Sequence, residues 1–193
     1  MNKIYLISLD LLIYTLPVWL FLLLFFFYGY GETSPVMLNK MAGLLSLLLI
    51  GITFLIGPLS YFFPNLFNHF KTYRKYLGIS GFVTAIIHAV ISYFLDFQGN
   101  LTFMFLDPNN EDLFGVYIGS LAIGIFLLMT ITSTNRAIKL LGFRHWKILQ
   151  TSGYFALFLV MFHFILMETS KGVKWYRLSR RFFNADFLFD FNL

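Results

Sequence analysis

The chain has 193 residues, of which 59% are hydrophobic and 12% are charged, and its mean hydropathy is +0.76. Soluble domains are about half apolar and a quarter charged, so this composition excludes a soluble globular protein and indicates an integral membrane protein. The absence of cysteine excludes disulfides, thiolate metal sites, iron–sulfur clusters and thioether links to a cofactor. The net charge of +5 does not indicate nucleic-acid binding, because the basic residues lie beside apolar runs, where they set orientation and contact anionic lipid.

Five apolar runs predict transmembrane helices, because about 20 apolar residues span a bilayer. They are residues 4–28, 41–63, 76–95, 113–133 and 148–167. The first run lacks a small-residue cleavage site and is interpreted as a retained helix, not a signal peptide. Asp10 near its start is expected at the membrane interface, and Pro17 is expected to kink the helix.

The charges of the loops predict the orientation. The loops after the second and fourth runs are basic, whereas residues 96–112 carry acidic residues and no Lys or Arg, so the amino terminus and both basic loops should be cytoplasmic. Residues 171–193 then lie outside although they are basic, and their aromatic content predicts an interfacial segment. The predicted fold is therefore an all-α membrane bundle of five transmembrane helices in residues 1–170 with an interfacial C-terminal segment; a sixth span is the alternative.

Two histidines lie inside apolar runs, where an ionisable side chain is costly and usually marks a functional site facing the bundle interior. His88 follows Lys75 by 13 positions and His163 follows Lys147 by 16, which places them roughly 20 and 24 Å from the basic side at 1.5 Å per residue. The two imidazoles should therefore lie at nearly equal depth, toward the outer face. With no carboxylate or thiolate in these runs, they suit a bis-histidine haem better than zinc or a hard cation. The alternative is that each histidine only hydrogen-bonds a neighbouring helix.

Mostly small residues precede each of these histidines on its own helix face, at spacings of three, four or seven positions. They predict a groove through which a flat macrocycle approaches the helices, formed by Gly81, Thr84, Ala156 and Val160. His69 and His145 lie in the basic loops, where they are expected to be solvated near headgroups.

Several short motifs, taken in order, carry a family resemblance. They are GPL at the end of the second run, RKYLG before His88, LMTITSTN after the fourth run, and LGFRHWKILQTSGYF before His163. Residues 41–167 resemble the ferric reductase-like transmembrane domain, and are most similar within it to the haem-binding membrane subunits of periplasmic methionine sulfoxide reductase systems. That resemblance implies two histidines on each of two helices, holding an inner and an outer haem. His88 and His163 match the outer pair, whereas the inner positions carry Arg74 and Gln150, so one b-type haem is expected.

The resemblance implies a membrane electron-transfer subunit of an oxidoreductase and not a complete enzyme, because the flavin and nicotinamide domain of other family members is missing. Electrons would pass through one bis-histidine haem to a redox partner at the outer face, in a bacterial inner membrane. The donor would be quinol or a flavin reductase, and a quinone or flavin in the inner half would be lined by Arg74 and Gln150. Two alternatives stay open: a terminal ferric, metal or oxygen reductase, and a haem-free membrane scaffold.

Overall fold

The computed structural model describes the backbone of residues 3–186 and the side chains of residues 10–169, and every regular element in that part of the chain is helical. A π-helical turn, Leu24–Tyr28, extends the first helix, and a 3₁₀ turn, His69–Tyr73, precedes the fourth. The helices are α1 (Lys3–Leu23), α2 (Pro35–Phe62), α3 (Pro64–Phe67), α4 (Arg74–Leu95), α5 (Leu101–Leu106), α6 (Leu113–Ile131) and α7 (Asn135–Asp186).

Within the described residues, five segments are long and apolar enough to cross a membrane, which confirms the predicted all-α membrane bundle. They are Asp10–Tyr28, Pro35–Phe62, His69–Leu95, Leu113–Ile131 and Asn135–Thr169. The predicted tail begins inside α7, whose backbone stays helical to Asp186. The side chains that would make the tail interfacial lie outside the described residues.

The start of α2 differs from the prediction. Ser34 caps this helix by accepting a hydrogen bond from the backbone N–H of Met37 at 3.3 Å, and Pro35 occupies the first helical turn. A serine cap followed by proline is a strong helix start, since proline has no N–H to leave unpaired there. The helix therefore begins before the predicted residue 41, and the polar residues Asn39 and Lys40 belong to it.

The long helix α7 is broken at Gly142, which has φ 73° and ψ 152°. Only glycine adopts this conformation at little cost. The break separates residues 135–141 from the apolar part that follows. Leu140 and Phe143 on either side of it are 87% and 68% exposed, so this corner lies outside the packed core.

The helices pack as two pairs. The most extensive contacts join α2 to α4 and α6 to α7, and smaller contacts of α4 with α6 and of α2 with α7 join the pairs. A buried cluster fills the space between them, consisting of Ile50, Phe54, Phe82, Ile118, Ala122, Phe126, Ala156 and Leu159. We call the end of the bundle with residues 64–75 and 134–147 the basic end, and the end with residues 96–112 the acidic end.

Candidate functional site

Both predicted intramembrane histidines line one cavity between the two helix pairs. The cavity has an empty volume of about 1170 Å³, a figure that includes open solvent. Its walls come mainly from α2, α4, α6 and α7, with Tyr28, Phe97 and Met104 from outside these helices, and both His88 and His163 line it. The structure therefore brings together the two side chains that the sequence placed at similar depth.

The ring of His88 is oriented by Asn39 of α2. Its Nδ1 lies 2.9 Å from the side-chain oxygen Oδ1 of Asn39 and 3.0 Å from the backbone oxygen of the same residue. Because both partners are carbonyl oxygens, which can only accept, we assign the hydrogen to Nδ1. In the neutral ring the lone pair is then on Nε2, the tautomer that can bind a metal through Nε2.

The ring of His163 has the same arrangement. Its Nδ1 donates to the backbone oxygen of Gly115 in α6 at 2.8 Å. The same reasoning puts the hydrogen on Nδ1 and the lone pair on Nε2. Metal-bound histidines usually donate their other ring N–H to a carbonyl or carboxylate, and both of these histidines have such a contact.

Each imidazole also packs against a glycine of the neighbouring helix. A Cβ added to Gly43 would lie 3.2 Å from both Nδ1 and Cε1 of His88, and one added to Gly119 would lie 2.9 Å from Nδ1 of His163. In both pairs the hydrogen-bond acceptor, Asn39 or Gly115, is four residues before that glycine. The absence of a side chain at these two positions therefore creates the space that the rings occupy.

The predicted groove residues are divided between the cavity and the helix contacts. Val160 lines the cavity. Gly81 instead lets α4 approach α2, since a Cβ there would lie 2.7 Å from Cγ1 of Ile50. Ala156 is buried in the central core, and the Thr84 hydroxyl donates to the Ser80 backbone oxygen. The helix backbones that pack directly against the two imidazoles belong to α2 and α6, at Gly43 and Gly119. Neither glycine is among the predicted groove residues.

Nearer the basic end, the two residues at the predicted inner positions have separate partners. The Nε of Arg74 donates to the Thr53 backbone oxygen at 3.1 Å, and the Nε2 of Gln150 donates to the Met129 backbone oxygen at 3.3 Å. Neither lines the cavity. A quinone or flavin site lined by these two side chains stays a prediction.

The core at this level is closely packed. The ring of Phe54 occupies the space beside Gly153, where an added Cβ would overlap it and would lie 2.6 Å from Cε of Met129. Phe54 is also within 4.8 Å of Tyr154, measured between ring centroids. A flat cofactor at this depth would have to displace these side chains.

Comparison with known protein families decides the assignment. The family model described as ferric reductase like transmembrane component matches residues 42–161, more than half of the chain. The chain belongs to this ferric reductase-like family. Membership indicates a membrane electron-transfer component. The matched stretch contains His88 and ends two residues before His163.

Two individual relatives of this ferric reductase-like chain are magnetosome proteins MamZ. The protein from Paramagnetospirillum magneticum is 31% identical over 94 residues, and the protein from Magnetospirillum gryphiswaldense is 32% identical over 94 residues. In both cases the match covers 49% of this chain and 14% of the relative. The chain thus corresponds to a small part of each of these longer proteins.

An ion pair lines the acidic end of the cavity in this ferric reductase-like bundle, and we call this end the cavity mouth. Nζ of Lys40 in α2 is 3.4 Å from Oε1 of Glu168 in α7, and both side chains are partly exposed. Both residues also line the cavity. Lys40 therefore places a positive charge at the cavity mouth.

The two loop histidines lie away from the cavity. His69 has its Nε2 3.2 Å from Oδ1 of Asp10 in α1, and the same carboxylate accepts a hydrogen bond from the Tyr73 hydroxyl. Asp10 thus ties α1 to the 3₁₀ turn before α4. His145 is exposed, with its Nδ1 3.1 Å from the Leu141 backbone oxygen.

Proposed function

We propose that this chain is a membrane electron-transfer subunit that holds one b-type haem between His88 and His163. One observation carries the proposal: two imidazoles with the same hydrogen-bonded tautomer line a single cavity between two helix pairs. Each is held by a carbonyl oxygen and packed on a glycine, so both rings are oriented before any ligand arrives. Such fixed orientation is what a metal ligand needs from its surroundings.

The residues present suit this group. A bound haem would supply a one-electron carrier whose potential depends on axial ligands, hydrogen bonds and burial. His88 and His163 would provide both axial ligands through Nε2, and so would exclude a substrate from the iron. Lys40 would offer a cation to a propionate at the cavity mouth, since ammonium–carboxylate hydrogen bonds are charge-assisted.

The proposal is for one haem and not two. The inner positions carry Arg74 and Gln150, which supply no imidazole, and both side chains donate to backbone oxygens. The Phe54 ring beside Gly153 also fills the core at that depth. Ligand chemistry and packing therefore support the same number.

The direction of electron transfer belongs to the same proposal. The donor, quinol or a flavin reductase, acts from the basic end, which is cytoplasmic in a bacterial inner membrane, with the amino terminus on that side. The acceptor is a redox partner at the acidic end, of the kind that sulfoxide reductase catalytic subunits represent. The cavity is consistent with this direction because Lys40 and Glu168, which line it, lie toward the acidic end.

Single histidine variants test the ligand assignment. The purified full chain should give a reduced-minus-oxidised spectrum of b-type haem. His88→Ala and His163→Ala should each abolish it, whereas the matched variants His69→Ala and His145→Ala should keep it. Full haem content in either of the first two variants contradicts the assignment.

The same preparation separates the other functions. A colourless wild-type protein, expressed with ample haem, would indicate a scaffold that kept the fold. Rapid oxidation of the reduced protein by ferric chelates or oxygen, with no partner present, would indicate a terminal reductase. Slow oxidation by both, with fast oxidation by a partner protein, is the result that the relay proposal predicts.

A further inference from the structure

We infer that Asn39 is a positioning residue that lowers the redox potential of the bound haem through the His88 ring. This inference rests on the proposed function, because it concerns the group that His88 would ligate. Asn39 comes before the stretch matched by the family model, residues 42–161. Its side chain is 6% exposed, which is unusual for asparagine beside a membrane core.

The orientation of the Asn39 amide follows from its two partners. Its Nδ2 donates to Oγ of Ser92 at 2.8 Å, and Oδ1 then lies 2.9 Å from Nδ1 of His88. Turning the amide over would place its NH₂ group against the His88 N–H, with two donors facing each other. The His88 N–H therefore sets the amide with its oxygen toward the histidine, and the Ser92 hydroxyl supports this orientation by accepting from Nδ2 on the other side.

The Nδ1–H group of His88 is thus shared between two acceptors of the same residue, the side-chain oxygen and the backbone oxygen. Acceptors on this hydrogen increase the electron donation of the ring through Nε2, because they draw the proton away from the imidazole. A stronger donor stabilises ferric iron more than ferrous iron, which lowers the potential. Removing Oδ1 should weaken this effect, while the backbone oxygen still orients the ring.

The experiment measures the midpoint potential and the ferric EPR g values of full-length protein containing haem. Asn39→Leu has a similar volume and no acceptor, and it should raise the potential. For Asn39→Leu we expect the ratio of ferrous to ferric protein at a fixed applied potential to rise about tenfold. For a one-electron couple this is a potential about 59 mV higher. Asn39→Asp, measured at pH 8, should shift the potential in the opposite direction, because a carboxylate is the stronger acceptor.

Two further variants complete the test. Ser92→Ala frees the amide and should give a smaller shift in the same direction as Asn39→Leu. As a control, Ser60→Ala removes a buried hydroxyl of α2 that donates to the Ile56 backbone oxygen away from the cavity, and it should leave the potential and the g values unchanged. If Asn39→Leu fails to fold, Asn39→Asp and Ser92→Ala still give shifts of opposite sign.

The outcomes distinguish this inference from the proposed function. Haem-containing variants at Asn39 with the potential and g values of the wild type overturn the inference and leave the haem assignment intact. Shifts of the same sign in Asn39→Leu and Asn39→Asp also overturn it, because they indicate a structural disturbance. A wild-type chain without haem overturns both.

Discussion

Replacing Gly119 with alanine should weaken haem binding, because it moves the His163 ring. The new Cβ would lie 2.9 Å from Nδ1 and 3.0 Å from Cε1 of His163, whereas ordinary contacts begin at 3.4 Å. The ring must therefore retreat by about 0.5 Å, although its Nδ1 is held to Gly115 at 2.8 Å. Overpacking of this kind costs about 1–3 kcal/mol, which corresponds to roughly 5- to 150-fold weaker binding at about 1.4 kcal/mol per tenfold.

The assay is haem titration and haem release to an acceptor protein, with thermal stability measured in parallel. Gly124→Ala is the matched control in the same helix, since a Cβ there meets nothing within 4 Å. Gly43→Ala should have a smaller effect, because its Cβ would lie 3.2 Å from the His88 ring, and Gly51→Ala in α2 is its control, with nothing within 4 Å. Equal haem affinity of Gly119→Ala and Gly124→Ala would show that displacing the His163 ring does not weaken haem binding.

Three further changes should act on the fold and not on the haem spectrum. Gly142→Ala should lower the unfolding free energy by about 1–3 kcal/mol in thermal melts, because φ 73° with ψ 152° is a strained backbone conformation for any residue with a Cβ. An unchanged melting temperature would argue against the break in α7. Asp10→Ala should loosen α1, since the carboxylate that accepts from the Tyr73 hydroxyl is lost, and faster proteolysis near the amino terminus would report it. Glu168→Gln should change stability by less than about 1 kcal/mol, because its pair with Lys40 is partly exposed; a larger loss in melts would show that this pair fastens α2 to α7.

The sequence predicted the membrane bundle and the positions of the two histidines. An imidazole inside an apolar helix has few alternatives to facing the bundle interior, and counting residues from the basic loops gave similar depths for His88 and His163. Both do line one cavity. Haem ligation by these two side chains stays a prediction.

The partners of the histidines could not be predicted from the periodicity of their own helices. Periodicity shows which residues share a face, as Gly81 and Ala156 do with the histidines, but not which residues of another helix lie opposite. Gly43 and Gly119 contact the rings from α2 and α6, and that pairing follows from the three-dimensional packing.

Asn39 was missed for a different reason. It lies just before the apolar run 41–63, whereas the Ser34-Pro35 pair that precedes it is a recognisable helix start. A helix that begins at this signal is about two turns longer toward the acidic end than the predicted run 41–63. It places Asn39 near the depth of His88. The hydrogen bond between them would still have required the structure.

If His88 and His163 together hold one haem, the purified protein must contain haem in a fixed ratio to the chain. The most direct measurement is the amount of haem per chain in the purified full-length protein, by pyridine haemochrome absorbance against quantitative amino-acid analysis. One b-type haem per chain is the expected value. A value of zero after expression with ample haem, or a value of two, would contradict it.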